Sequence, residues 1–246
     1  MNKFGLIGFP LEHSFSKKYY LEKIENEKLK GYDYDLYPIN KLELLHELLK
    51  TENLTGINVT IPYKIEVIPY LDALTEEAQS IGAVNCIEFQ KTDNKVRLIG
   101  HNTDVYGFKK SLIPLLSKGT NKALILGTGG ASKAVEFALK ALKIEYKLVS
   151  RTRRESILSY NELNKKLINS YNIIINTTPL GTFPNTEEFP DIPYKYITNN
   201  HICYDLIYNP TETKFLKLAK KQGAKTKNGY EMLVLQAEEN WNIWTK

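Results

Sequence analysis

The chain has 246 residues, of which 42% are apolar and 25% charged. That length allows one large domain or two modest ones with a well-buried core, and the composition is that of a globular enzyme. The formal net charge is +5, with no block of like charge, which argues against a nucleic-acid-binding tail and leaves anionic small molecules as compatible partners. The opening MNKFGLIGFP lacks the apolar region of a signal peptide. No apolar run approaches about 20 residues, the length needed to cross a bilayer. The two cysteines, Cys86 and Cys203, each have apolar neighbours, so neither a disulfide framework nor a cysteine metal site is expected. These features predict a cytoplasmic protein with reduced thiols, no metal, and no membrane or nucleic-acid partner.

Strands and helices are predicted to alternate, which implies an α/β fold with mostly parallel sheets. Lys3 to Gly8 reads as a first strand, followed by a helix from Phe15 to Lys28. Tyr32 to Tyr37 is strand-like and stops at Pro38. Leu42, Leu45, Leu48 and Leu49 form a helical stripe. Gly56 to Thr60 is a short strand closed by Pro62. Short helices are predicted over Ile65 to Leu71 and Glu76 to Ile81. Ala83 to Phe89 and Val96 to Ile99 read as a strand pair, with Thr92-Asp93-Asn94 as the turn.

A second unit is predicted to begin near Asp104, with a connecting helix over Val105 to Leu116. Ala123 to Leu126 is wholly apolar, as in a parallel strand covered on both faces. A Gly-rich turn follows, then a helix with Ala131, Ala134, Ala138, Ala141 and Leu142 on one face. Lys147 to Val149, Ile173 to Ile175 and Ile202 to Leu206 are further strands. A helix from Thr213 should end at Gly223, a favourable C-cap residue. The stripe Leu233, Ala237, Trp241 and Trp244 marks a helix over Glu231 to Trp244, which is expected to pack back on the first domain. The predicted division is 1–103 with 230–246, and 104–229.

The strongest local motif is Gly127-Thr128-Gly129-Gly130-Ala131-Ser132, directly after a strand. Strand, glycine turn and helix start together form a pyrophosphate site: glycines let the backbone approach the phosphates, and the helix N-terminus supplies free N–H groups. An NAD enzyme usually carries an acid at the end of the next strand. Here Lys147 to Val149 runs into Ser150-Arg151-Thr152-Arg153-Arg154. Guanidinium groups pair with a 2′-phosphate, which a carboxylate would repel. The pattern favours NADP(H) over NAD.

Three polar segments of the first unit each follow a predicted strand: His13-Ser14-Phe15-Ser16, Asn58 to Lys64, and Gly100-His101-Asn102-Thr103-Asp104. Ligands of open α/β sheets bind at such strand ends. Lys64 has the chemistry of a proton donor to a developing alkoxide, and Asp104 that of its orienting partner. Taken singly, these residues also fit plainer roles. Lys64 reads as a surface lysine, Asp104 and either Ser14 or Ser16 as helix caps, and Asn58 and Asn85 as turn or sheet-edge residues. Gln236 interrupts the apolar stripe of the last helix and fits either a buried amide with a partner or a helix-surface glutamine.

The segments HSFS (13–16), NVTIPYK (58–64), GAVNC (82–86), NTDVYGF (102–108), GTGGAS (127–132), YDLIYNPTETKFL (204–216) and NGYEMLVLQA (228–237) occur in one order. In that combination the chain resembles the shikimate dehydrogenase family from end to end. The resemblance implies an N-terminal α/β substrate domain and a C-terminal Rossmann dinucleotide-binding domain. It implies that Lys64 is the catalytic acid/base, paired with Asp104. Ser14 and Ser16, helped by Tyr208, would hold the substrate carboxylate, and Asn58, Thr60, Asn85, Asp104 and Gln236 would contact ring hydroxyls. Gly127, Gly129, Gly130 and Ala131 would line the pyrophosphate. Arg151, Thr152 and Arg154 would surround the 2′-phosphate, and Leu206 and Gly229 would meet the nicotinamide end.

The chain departs from the family pattern at three places. Tyr19 and Tyr20 stand where a His-Asn pair is common. Ser150 replaces an Asn, and the usual NATSxGM segment reads Asn176 to Thr182 as NTTPLGT. The implied activity is reversible reduction of 3-dehydroshikimate to shikimate with NADPH, on the route to chorismate and the aromatic amino acids, by a monomer or homodimer. The rivals are a quinate/shikimate dehydrogenase and a non-catalytic NADP-binding module. Retention of both Ser14 and Ser16 favours shikimate over quinate, which carries an extra hydroxyl near the carboxylate.

Overall fold

A computed structural model describes residues 1–12, 14–51, 53–92 and 95–246. His13 of the HSFS segment, and Asp93 and Asn94 of the expected turn, lie outside the described residues. The chain divides into two compact units, Met1–Thr103 with Ala237–Lys246, and Asp104–Gln236.

The first unit contains, in chain order, β1 (Asn2–Gly8), α1 (Phe15–Asn26), β2 (Tyr32–Pro38), α2 (Leu45–Thr51), β3 (Leu54–Val59), β4 (Ala73–Leu74), α3 (Glu76–Ile81), β5 (Cys86–Thr92) and β6 (Lys95–His101). Its sheet has the order β2-β1-β3-β5-β6-β4. β1 runs parallel to β2 and β3, whereas β5 pairs antiparallel with β3 and β6. One face buries Ile7, Ile57 and Val59 beneath Leu42, Leu45 and Tyr63. The other face buries Phe4, Leu6 and Tyr34 beneath Tyr20 of α1 and beneath Ala237 and Trp241. Alternation along each strand sends successive side chains to opposite faces, so each strand contributes to both cores.

The helix expected over Ile65 to Leu71 is a run of turns ending in a short 3-10 segment, Ile68–Tyr70. Pro69 within it lacks an N–H and blocks a longer α-helix. Pro114 acts similarly in the second unit: α4 (Asp104–Leu112) tightens into a 3-10 turn at Ile113–Leu115, short of the predicted Leu116.

The second unit continues with β7 (Lys122–Leu126), α5 (Gly130–Ala141), β8 (Glu145–Ser150), β9 (Ile157–Ser159), α6 (Lys165–Ser170), β10 (Ile173–Asn176), β11 (Ile202–Asp205), α7 (Lys214–Lys221), β12 (Lys225–Lys227) and α8 (Tyr230–Trp244). All its strand pairs are parallel, in the order β12-β11-β10-β7-β8-β9. Counted from β7 this is the 3-2-1-4-5-6 order of dinucleotide-binding sheets, with the switch point between β7 and β10. Leu124, Leu126, Ile174 and Cys203 pack with Ile168, Phe215, Leu216 and Ala219 from α6 and α7. Tyr204, one position along β11 from Cys203, instead meets Phe108 and Ser111 of α4.

Helix α8 divides between the units. Its residues 237–244 join the first core, as expected of a helix packing back on that domain, while 230–236 group with the second unit rather than with the first. The cause is a close helix approach at Gly107 of α4. A side chain there would run into the Met232 carbonyl and come within 3.2 Å of Gln236.

Candidate active site

In the first unit the polar segments meet at the ends of β1, β3 and β5. Ser14 is the N-cap of α1, its Oγ accepting from the Ser16 N–H at 3.3 Å. Asn58, the last residue but one of β3, is almost fully buried. Its Oδ1 accepts from the Tyr34 hydroxyl at 2.8 Å, and its Nδ2 donates to the Asn85 carbonyl at 3.3 Å. Asn85 Oδ1 accepts from the Thr103 N–H at 2.8 Å, and the Thr103 hydroxyl donates to Asn240 Oδ1 at 2.6 Å. Asn58, Asn85 and Thr103 thus belong to one hydrogen-bonded string that runs from Tyr34 to Asn240 on α8, whereas Ser14 and Ser16 are joined to each other at the start of α1. Buried amides need such partners.

Thr60 and Lys64 follow on a turn held at three points. The Thr60 N–H donates to the Ile7 carbonyl at 3.0 Å, the Tyr63 hydroxyl donates to the Ile39 carbonyl at 2.8 Å, and the Lys64 carbonyl accepts from the Val84 N–H at 2.7 Å. The last bond anchors the backbone of Lys64 one residue from Asn85. The Lys64 side chain is half-buried.

In the second unit the glycine turn lies at the switch point. Gly127 has φ of 110°, a left-handed conformation that favours glycine. A side chain at Gly127 would also crowd Thr177 and Thr178 at the end of β10, within 2.7 and 3.0 Å. Side chains at Gly129 or Gly130 would meet nothing within 4 Å, so the space above the turn is open. Gly129 is the N-cap of α5 and provides no side-chain acceptor. The first-turn N–H groups of a 12-residue helix therefore have no side-chain cap. A hollow of about 360 Å³ is lined by Gly127, Thr128, Gly129, Ser150, Arg151, Tyr160 and the 177–180 segment. Open backbone, a helix N-terminus and one guanidinium fit a phosphorylated dinucleotide.

Arg151, Thr152 and Arg154 are exposed on the loop after β8, and the Thr152 carbonyl accepts from the Ser150 hydroxyl. Of the predicted cofactor residues, Gly127, Gly129 and Arg151 line the hollow, whereas Gly130, Ala131, Thr152 and Arg154 are not among its lining residues. Leu206 and Gly229 form a separate close contact beyond β11, where a side chain on Gly229 would run into the Leu206 carbonyl. Tyr208 is half-buried two residues beyond Leu206. Asp104 opens α4, one turn before Gly107, and Gln236 lies against Gly107 with its Nε2 donating to the Leu233 carbonyl at 2.9 Å.

Sequence reasoning missed Tyr34, Tyr160 and Asp205. Asp205 is fully buried at the end of β11. Its Oδ1 accepts from Asn176 Nδ2 at 3.0 Å and from the Ile207 N–H at 3.1 Å, and its Oδ2 accepts from the Thr213 hydroxyl at 2.6 Å. Burial pushes its pKa up to about 6 despite these donors. One carboxylate so ties the ends of β10 and β11 to the cap of α7. The available signal was an acid closing an otherwise uncharged strand, Ile202-Cys203-Tyr204-Asp205. Both cysteines are free and buried, and burial raises both thiols above their ordinary range.

Residues 6–87 match the profile of the shikimate dehydrogenase substrate binding domain. Shikimate dehydrogenase (NADP(+)) of Methanococcus vannielii is 38% identical over 262 residues, an alignment that covers 98% of this chain and 90% of that one. The chain belongs to the shikimate dehydrogenase family. Its fold is similar to the crystal structure of shikimate dehydrogenase from Aquifex aeolicus, with a TM-score of 0.87 and 34% identity, covering 100% of this chain and 92% of that one. It is also similar to shikimate 5-dehydrogenase from Thermus thermophilus in complex with NADP(H) and shikimate, with a TM-score of 0.86 and 29% identity, covering 100% and 94% of the two chains. The family's two-domain α/β architecture is that of the two units above. No helix among the described residues is long and apolar enough to cross a membrane, and no group of three or more His, Cys, Asp or Glu among them could hold a metal ion.

Proposed function

We propose that this protein is an NADP-dependent shikimate dehydrogenase, an oxidoreductase that interconverts 3-dehydroshikimate and shikimate in chorismate and aromatic amino acid biosynthesis. The observation that carries this reading is the hollow at the switch point, which the glycine turn shares with Arg151. The activity named for the relatives supplies the substrate. The first unit is then the substrate domain and the second the NADP domain. Two buried thiols fit a reducing cytoplasm, and a monomer or homodimer is the expected assembly.

When bound, NADPH supplies a hydride to the substrate carbonyl carbon. Gly127, Gly129, Gly130 and Ala131 would hold its pyrophosphate. Arg151, Thr152 and Arg154 would meet the 2′-phosphate, and Leu206 and Gly229 the nicotinamide end. Ser14 and Ser16, with Tyr208, hold the substrate carboxylate. Asn58, Thr60, Asn85, Asp104 and Gln236 orient the ring through its hydroxyls. Lys64 Nζ gives a proton to the carbonyl oxygen as negative charge grows there, and takes it back in the reverse direction, while the Asp104 carboxylate balances the ammonium.

Purified protein assayed with shikimate and with quinate, each with NADP and NAD, tests this function. The highest kcat/KM is expected for shikimate with NADP. A preference for quinate would move the assignment to a quinate/shikimate dehydrogenase. Binding of NADPH without turnover of either acid would leave only a binding module.

A further inference from the structure

Asn176 closes β10 and is fully buried beside Asp205. Its amide joins two sets of partners. At one end Nδ2 donates to Asp205 Oδ1 at 3.0 Å and to the Leu180 carbonyl at 3.4 Å. At the other end Oδ1 accepts from the Thr178 N–H at 3.0 Å and from the Thr178 hydroxyl at 2.6 Å. Thr178 Oγ1 in turn accepts from the Leu180 N–H at 3.3 Å. Residues 177–180 thus fold around this amide, and all four line the hollow together with Gly127 and Arg151.

We propose that Asp205 is a positioning residue for the dinucleotide, acting through Asn176 to fix the 177–180 wall beside the glycine turn; this rests on the reading of the hollow as the cofactor site. An amide turned through about 180° keeps its shape and exchanges its donor and acceptor ends. Turned that way, Asn176 would set its oxygen against the Asp205 carboxylate and its NH2 group against the Thr178 N–H. An ionised carboxylate only accepts, so Asp205 admits the NH2 end alone. The oxygen end must then point to Thr178, where it takes both the N–H and the hydroxyl. The Leu180 carbonyl favours the same sense, but it belongs to the wall and moves with it. Asp205 is the anchor outside the wall, held in place by the Ile207 N–H and the Thr213 hydroxyl. Burial raises its pKa to about 6, so the carboxylate is ionised at an assay pH of about 8. The position of the wall matters because a side chain at Gly127 would come within 2.7 Å of Thr177 and 3.0 Å of Thr178. A displaced wall therefore changes the space over the turn assigned to the pyrophosphate.

Thr213 supplies a control. Its hydroxyl donates to Asp205 Oδ2 at 2.6 Å, the oxygen that Asn176 does not use, and its side chain caps α7. The experiment compares wild type, Asp205→Leu, Asp205→Asn, Asn176→Leu and Thr213→Val. It reads the NADPH dissociation constant by fluorescence titration, the melting temperature, and kcat and shikimate KM at saturating NADP. Leucine has nearly the shape of aspartate and no acceptor, so it leaves the amide free to turn. Asp205→Leu is expected to raise the NADPH dissociation constant about ten-fold, the scale of one lost hydrogen bond, with kcat and shikimate KM within about three-fold of wild type. Asparagine still offers an oxygen to Asn176 and Ile207, so Asp205→Asn should bind NADPH within about three-fold of wild type. Asn176→Leu removes the link and leaves Asp205 its other two donors. It should raise the constant as Asp205→Leu does, and it decides the matter if Asp205→Leu does not fold. Thr213→Val should lower the melting temperature and leave the constant unmoved. An unmoved constant in Asp205→Leu or Asn176→Leu overturns the proposal while the cofactor reading stands. So does a loss in Asp205→Asn or Thr213→Val as large as that in Asp205→Leu. A wild type that binds no NADPH overturns both.

Discussion

The carbonyl of Leu206 lies where a side chain on residue 229 would begin. Only a hydrogen at that position lets the chain after β11 pass so close to the start of α8, and the Gly229 N–H uses the approach to donate to the Ile207 carbonyl at 3.0 Å. Gly229→Ala must push these segments apart. Overpacking of this kind costs about 1–3 kcal/mol. Urea denaturation should register that loss, and kinetics should register a raised NADPH KM if Leu206 and Gly229 border the nicotinamide end. A variant as stable as wild type would mean that the contact relaxes freely.

Lys64 is assigned the proton transfer. Replacement by alanine removes the donor, and general acid catalysis is typically worth about 10²–10⁴-fold. Lys64→Ala should lower kcat for shikimate oxidation by about two orders of magnitude or more, with a smaller change in KM. Steady-state rates near wild type would remove Lys64 from the mechanism.

Arg151 is the guanidinium that lines the hollow beside the glycine turn. If it reads the 2′-phosphate, Arg151→Ala loses a charge-assisted hydrogen bond, worth about 1.5–3 kcal/mol. The KM for NADPH should then rise about ten-fold or more, while NADH use changes little. Equal losses with both cofactors would show that the residue does not sense the phosphate.

Asp205 imposes a pH dependence on stability. Folding raises its pKa from 3.8 to about 6, so the folded state binds the proton more tightly than the unfolded chain. Its contribution is complete below about pH 4 and is lost as the pH rises through about 6. Asp205→Asn removes this titration. The difference in unfolding free energy, wild type minus variant, should fall by roughly 2 kcal/mol between pH 4 and 7. Urea titrations across that range measure it, and a flat difference would refute the burial of an ionisable carboxyl at this position.

The parts legible in the sequence were those decided locally. β7, β10 and β11 are uncharged or nearly so in their interiors, and the turn at Gly127 requires residues that tolerate its geometry. The resemblance pointed to Ser14, Asn58 and Asn85, and burial with shared hydrogen bonds explains why those polar residues sit where they do. β9 and β12 were not legible, because Ile157–Ser159 and Lys225–Lys227 are three-residue edge strands without a buried run. Tyr34 and Asp205 escaped for another reason. The alternating Tyr-Asp-Tyr-Asp of β2 does not reveal which tyrosine is covered until α1 lies across the sheet. Asp205 finds its donors on three segments, at Asn176, Ile207 and Thr213, which only the tertiary fold assembles.

The sharing of α8 has a bearing on biogenesis. A ribosome releases residues 1–103 first, yet the aromatic face formed by Phe4, Tyr20 and Tyr34 acquires its lid only when Ala237 and Trp241 have been made. The intervening 104–236 stretch is contiguous and can close around its own core while the earlier unit waits. During that interval the nascent chain carries a large uncovered aromatic surface, the kind that holdase chaperones bind and that drives premature association.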